Sequence, residues 1–228
     1  MQLGEDTITM SMTLNPVNEA AFQKAVQSLE TLNRAAVFHP TGTGKSCIAW
    51  KVVEAHPQTT FFWLVAGAQR LALRQAELTR YNGGTLPGNV RFCDCEKLAA
   101  ATPEQWVRLG EQKPGCIVLD CYHELSAVCW AQSVQKLLRM CPQAKVLGLG
   151  VPNGAPVCAA AQELFADCIV SHMTVAEAMA AGTMPVPSAY AALLWPQEEE
   201  LATLRARIKN LCMPKGDTSL RVQYEELS

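Results

Sequence analysis

The chain has 228 residues, 49% of them hydrophobic and 18% charged, which excludes a mini-protein dependent on staples and excludes wholesale disorder. Lys and Arg number 19 against 21 Asp and Glu, so the net charge of -2 excludes a polycation. Any attraction to nucleic acid or an anionic membrane has to come from a local patch.

Met1 to Leu14 carries Glu5 and Asp6 and has neither a basic start nor an apolar run, so it does not read as a signal peptide. Residues 1–13 are expected to form an N-terminal extension. The longest apolar runs, such as Phe61 to Ala66, are strand-sized and too short for a membrane span. A cytoplasmic chain with reduced thiols is the expectation. Of the ten cysteines, Cys93-x-Cys95 and Cys116 to Cys121 with His123 could suggest zinc. Neither has the paired Cys-x-x-Cys spacing of a zinc site, and buried free thiols are the expected reading.

Taken in order, Ala35 to Phe38, Phe61 to Val65, Val90 to Cys93, Cys116 to Leu119, Lys145 to Leu149 and Cys168 to Val170 are short apolar runs without polar alternation. Strands buried on both faces read this way. Helical spacing lies between them: Phe22, Ala25, Val26 and Leu29; Leu71, Ala72, Gln75 and Leu78; Leu125, Val128, Val134, Leu137 and Leu138. Repeated βα units predict an α/β fold with a doubly wound parallel sheet flanked by helices in three layers. The pattern runs over residues 14–195. Residues 196–228 are expected to be a C-terminal helix, striped by Leu201, Leu204, Ile208 and Leu211, and a polar tail.

His39-Pro40-Thr41-Gly42-Thr43-Gly44-Lys45-Ser46 follows the first predicted strand and opens a helix. Gly42 and Gly44 let the chain curl so that backbone N–H groups converge on a phosphate at the positive end of the helix. In this P-loop pattern Lys45 reaches the terminal phosphates and the Ser46 hydroxyl ligates magnesium. His39 stands where the pattern has its first glycine. Thr41, Gly42, Thr43, Gly44, Lys45 and Ser46 are thus candidate nucleotide-binding residues.

The run Thr41 to Ser46 resembles motif I of the superfamily 2 helicases, the DEAD/DEAH-box and restriction-type group. Ile117-Val118-Leu119-Asp120-Cys121-Tyr122-His123-Glu124-Leu125 resembles motif II of that group, Asp-Glu-x-His at the end of a strand. Asn18 to Phe22 resembles the segment that touches adenine, with Asn18 as its polar candidate. The resemblance implies a P-loop NTPase of the RecA-like kind over residues 14–195, binding ATP and Mg2+. It implies Lys45, Asp120 and His123 as catalytic residues, with Ser46 and Asp120 on the metal. The family's second RecA-like domain, with its arginine finger and half of the nucleic-acid track, has no counterpart in this sequence.

Several positions depart from that pattern. Cys121 stands where the motif II glutamate polarises water, and a largely protonated thiol does not replace a carboxylate there. Glu124 is expected to point along the next helix. Gly150-Val151-Pro152-Asn153 stands in place of motif III, Ser/Thr-Ala-Thr-Pro, and lacks its hydroxyls. Motif Ia reads Ala66-Gly67-Ala68-Gln69-Arg70. Asp94 occupies a threonine position, where it is expected to repel a phosphate. Arg70, Arg74 and Lys97 are candidate phosphate contacts, with solvated surface charge as the commoner reading.

The expected function is a helicase-type ATP-binding domain with weak or absent hydrolysis, acting on DNA or RNA with a partner lobe. The alternatives are a non-catalytic adaptor or decoy that binds a protein partner, and a small P-loop kinase. No Asn-Lys-x-Asp guanine-reading motif occurs, which argues against a GTPase.

Overall fold

The computed structural model describes residues 12–120, 128–152 and 163–186, together with Ala202. The chain divides into two units, Met1–Val186 and Pro187–Ser228. The account below is of the first. The expected helix and tail over 196–228 lie outside the described residues, as do Cys121, His123, Glu124 and Asn153.

Helix α1 (Pro16–Thr31) starts where Asn15 accepts a hydrogen bond from the Asn18 N–H, with Pro16 preset for the first turn. Strand β1 (Arg34–Phe38) leads through the glycine-rich loop into α2 (Lys45–Ala55). Strand β2 (Phe61–Val65), helix α3 (Ala68–Tyr81) and strand β3 (Val90–Asp94) follow. Two short helices, α4 (Cys95–Ala99) and α5 (Pro103–Glu111), then precede β4 (Cys116–Leu119). After β4 come α6 (Val128–Met140), β5 (Lys145–Gly150), β6 (Ile169–His172) and α7 (Val175–Ala180). Thr102 with Gln105 and Thr174 with Glu177 form capping boxes that start α5 and α7.

The six strands form one sheet in the order β3-β2-β4-β5-β1-β6, with every pair parallel. Parallel strands need crossovers, and the intervening helices cover both faces. Successive strand residues point to opposite faces, so each strand contributes to two cores. Ala36, Phe38, Phe62, Leu64, Ile117 and Leu119 pack with Leu98 of α4, Trp106 of α5 and Leu137 of α6. On the other face Val37, Phe61, Trp63, Val65, Val118 and Leu149 pack with Ala25 of α1 and Ile48 and Val52 of α2. The result is the three-layer, doubly wound parallel α/β fold that the repeated βα units predict.

Strand β6 begins one residue later than expected, because Cys168 closes a 3-10 turn over Ala166–Cys168. Gly150, at the start of the motif III stretch, pairs with Phe38. A Cβ at that position would collide with the Phe38 ring, so the serine or threonine of the resembling family has no room there.

Candidate nucleotide site

The loop His39–Gly44 leaves the carboxyl end of β1, the edge of a parallel sheet where ligands of this architecture sit. Gly42 and Gly44 have φ of 87° and 90°, backbone that a side chain strains to adopt. Thr43 Oγ1 donates to the Pro40 carbonyl at 2.8 Å, pinning the middle of the loop to its start. Asn18 Nδ2, brought in by the first turn of α1, donates to the Thr43 carbonyl at 2.7 Å. A Cβ on Gly44 would lie 2.8 Å from that same nitrogen, so the brace requires glycine.

Gly44 is the N-cap of α2 and supplies no side-chain bond to it. Its carbonyl accepts from Cys47 N at 2.9 Å and Ile48 N at 3.3 Å. The positive end of the α2 dipole therefore faces the loop. Lys45 Nζ donates to the His39 and Pro40 carbonyls, both at 2.8 Å, which places its ammonium across the loop from the helix it starts. Lys45 and Ser46 are half-buried, while Thr41 and Gly42 are exposed. Left-handed glycines, a helix start without a side-chain cap and a lysine turned into the loop are features suited to an oxyanion.

His39 is fully buried, and its Nε2 shares a 2.7 Å hydrogen bond with Ser171 Oγ of β6. Burial, then the charges of Lys45 and His172, lower its pKa to about 4, so the ring is neutral at pH 7. His39 thus ties the start of the loop to the edge strand, where the P-loop pattern has a glycine. Asn18 Oδ1 and His39 Nδ1 are buried without a hydrogen-bond partner among the described residues.

Asp120 follows β4 at the same edge. β5 lies between β1 and β4, so the strands that carry the loop and Asp120 are about 10 Å apart, two strand spacings. Asp120 is 2% exposed. Its Oδ2 accepts from Trp63 Nε1 of β2 at 3.1 Å and from Arg74 Nε of α3 at 2.6 Å. Arg74 also pairs with Glu77 one turn on. Burial opposes the guanidinium charge, but Asp120 and Glu77 outweigh it and raise the Arg74 pKa. Arg74 is therefore no solvated surface charge, as the sequence suggested, but the counter-ion of a buried carboxylate. As a magnesium ligand Asp120 fits poorly in this arrangement, because the carboxylate is buried and its charge is already met by the Arg74 guanidinium.

No protein-family model matches the chain, and no curated protein matches it in sequence. Among solved structures it is similar to domain III of the Thermotoga maritima replication initiation protein DnaA. That alignment has 11% identity and a TM-score of 0.43, over 76% of this chain and 69% of that one. It is also similar to the ATP-dependent Type ISP restriction-modification enzyme LlaBIII bound to DNA, at 16% identity and a TM-score of 0.44. That second alignment covers 64% of this chain and 13% of the enzyme. Both TM-scores lie under 0.5, and the site stands on its own geometry.

The candidate nucleic-acid contacts divide. Arg70 and Lys97 are exposed, on α3 and α4. Asp94, expected to face and repel a phosphate, is instead 4% exposed, and its carboxylate caps α4 by accepting from Glu96 N at 3.0 Å. A buried carboxylate already bonded to a helix start is turned away from any passing backbone. The thiols of Cys93, Cys95 and Cys116 are buried, and burial pushes each up to about 12. No group of three or more His, Cys, Asp or Glu side chains is placed to hold a metal ion among the described residues. No helix there is long and apolar enough to cross a membrane. A cavity of about 1040 Å³ lies at the opposite, amino-terminal edge of the sheet, beside Leu32, Arg34, Val134, Leu138 and Glu163, away from the loop.

Trp63 and Ser171 are the site residues that sequence reasoning missed; Arg74 was singled out there, but as a phosphate contact and not as the partner of Asp120. One signal was available for Trp63: an indole N–H inside a wholly apolar strand needs a partner.

Proposed function

We propose that this chain is a nucleotide-binding domain of the helicase-type P-loop class, which holds ATP by its phosphates and turns it over slowly or not at all. The observation that carries the reading is the loop itself. Gly42 and Gly44 curl it at φ of 87° and 90°, and Lys45 Nζ spans it to the His39 and Pro40 carbonyls. Phosphate oxygens are better partners for the ammonium than neutral carbonyls, because the bond is then charge-assisted on both sides.

In this reading Lys45 neutralises phosphate charge, and backbone N–H groups from Gly42 to Ser46 receive the oxygens. Asn18, through Thr43, keeps the loop in shape, and the resemblance gives it a second role beside the adenine. Weak turnover follows from Cys121, which stands where a carboxylate would polarise water. The paired Asp120 fits the same picture. Action on DNA or RNA with a partner lobe belongs to this proposal and rests on the motif resemblance.

Calorimetric titration of ATP tests it. Lys45→Ala is expected to weaken binding about tenfold or more, the worth of a hydrogen bond to a charged group. A wild-type chain that shows no heat with ATP sinks the reading. Cys121→Glu is expected to raise hydrolysis by up to about 10²-fold, the lower end of what a positioned general base contributes.

A further inference from the structure

Asp120 carries the chemistry expected of a metal ligand in a setting that opposes one. Asp120 is 2% exposed, and Trp63 Nε1 and Arg74 Nε converge on the same oxygen, Oδ2. Trp63 is wholly buried and cannot turn its N–H away without breaking the core. Arg74 is fixed from two sides, by Asp120 at 2.6 Å and by Glu77 on its own helix. Leu78 is the one residue of α3 that is buried, and the Arg74–Asp120 ion pair adds a polar link from this helix to the end of β4.

We propose that the chain binds its nucleotide without help from a divalent cation, because Arg74 already supplies at Asp120 the positive charge that such a cation would bring. The inference rests on the loop being a nucleotide site. A cation arriving at Asp120 has two routes. It displaces Arg74, leaving a guanidinium beside Glu77 with its stronger partner lost, and breaking a buried pair is costly. Or it settles beside Arg74, and two positive centres then share one carboxylate in a desolvated place. Both routes weaken the site relative to a carboxylate with no basic neighbour. The Ser46 hydroxyl, neutral and half-buried, does not compensate, since magnesium sites draw on one or two carboxylates besides the phosphates. Arg74 acts here through Asp120 and is a positioning residue.

The test is ATP affinity in Mg2+ and in EDTA, measured by calorimetry on the full chain. The wild type is expected to bind equally in the two buffers, within about twofold. Arg74→Met is expected to bind about tenfold tighter in Mg2+ than in EDTA, a ratio in the usual range of coupling between sites. A merely structural role for Arg74 would not open that ratio. Since Arg74→Met removes the counter-ion of a buried carboxylate and can fail to fold, Mn2+ alone is also titrated into the wild type by water-proton relaxation, with no bound Mn2+ expected. Wild-type ATP binding about tenfold tighter in Mg2+, wild-type binding of Mn2+, or an equal ratio in a folded Arg74→Met protein overturns the inference and leaves the loop reading intact. No ATP binding in either buffer overturns both.

Discussion

Asn18 and Thr43 meet across the base of the phosphate loop, the Asn18 amide donating to the Thr43 carbonyl at 2.7 Å inside the protein. One side chain from the first turn of α1 thereby sets the height of the loop above β1. Asn18→Ala is expected to lower stability by about 1–3 kcal/mol, the cost of leaving a buried carbonyl unsatisfied. It should weaken ATP binding in parallel. Urea unfolding with calorimetry reads both, and unchanged ATP affinity would show that the loop keeps its shape unaided.

The two loop glycines are expected to respond differently to alanine. Gly42 at φ 87° has nothing within 4 Å of a new Cβ, so Gly42→Ala costs only the left-handed strain of about 1–2 kcal/mol. Gly44→Ala adds a contact of 2.8 Å with Asn18 Nδ2 and should be the more destabilising of the two. In the double variant Asn18→Ala/Gly44→Ala the difference should shrink. Equal losses from both single substitutions would contradict the brace.

His39 makes stability depend on pH. Its pKa in the fold is about 4, against an ordinary value of 6.5, so between these values the unfolded chain binds the proton and the folded one does not. The stabilisation is fully present above about pH 6.5 and falls as pH drops toward 4. His39→Gln does not titrate and should flatten that slope in urea midpoints taken across the window. A slope identical to that of the wild type would assign the titration to another group.

Thiol accessibility separates the cysteines. Cys93, Cys95 and Cys116 are buried, with their thiols pushed up to about 12, whereas Cys47 and Cys168 are partly exposed. Iodoacetamide at about pH 8, read by mass spectrometry, should spare the first three in the folded chain and reach the other two. Rapid labelling of Cys116 would mean that β4 opens readily.

Much of the fold was legible in the sequence, for a reason visible in the strands themselves. Phe61–Val65 and Cys116–Leu119 are buried on both faces, so they read as unbroken apolar runs between helical stretches, and such runs occur where a parallel sheet is covered on both sides. The short helices α4 and α5 escaped notice, although Thr102-Pro103-Glu104-Gln105 carries the capping-box signature of α5. The phosphate loop was legible because its chemistry is local. The glycines, lysine and serine are consecutive, and the conformation they need is written at their own positions.

What surrounds the loop was not legible in that way. The partners of Asp120 come from β2 and α3, and His39 reaches β6, far along the chain. A sequence shows the valence of such groups but not the strand order that brings them together. By itself the sequence determined the βα alternation, the loop and the thiol at position 121, since each depends on residues adjacent in the chain. The tertiary structure alone decided that Arg74 neutralises Asp120, that Asp94 caps a helix instead of facing a phosphate, and that Asn18 carries the loop. These are pairings between distant residues in a low-dielectric interior, where a charge or an amide without a partner costs more than the chain can leave unmet.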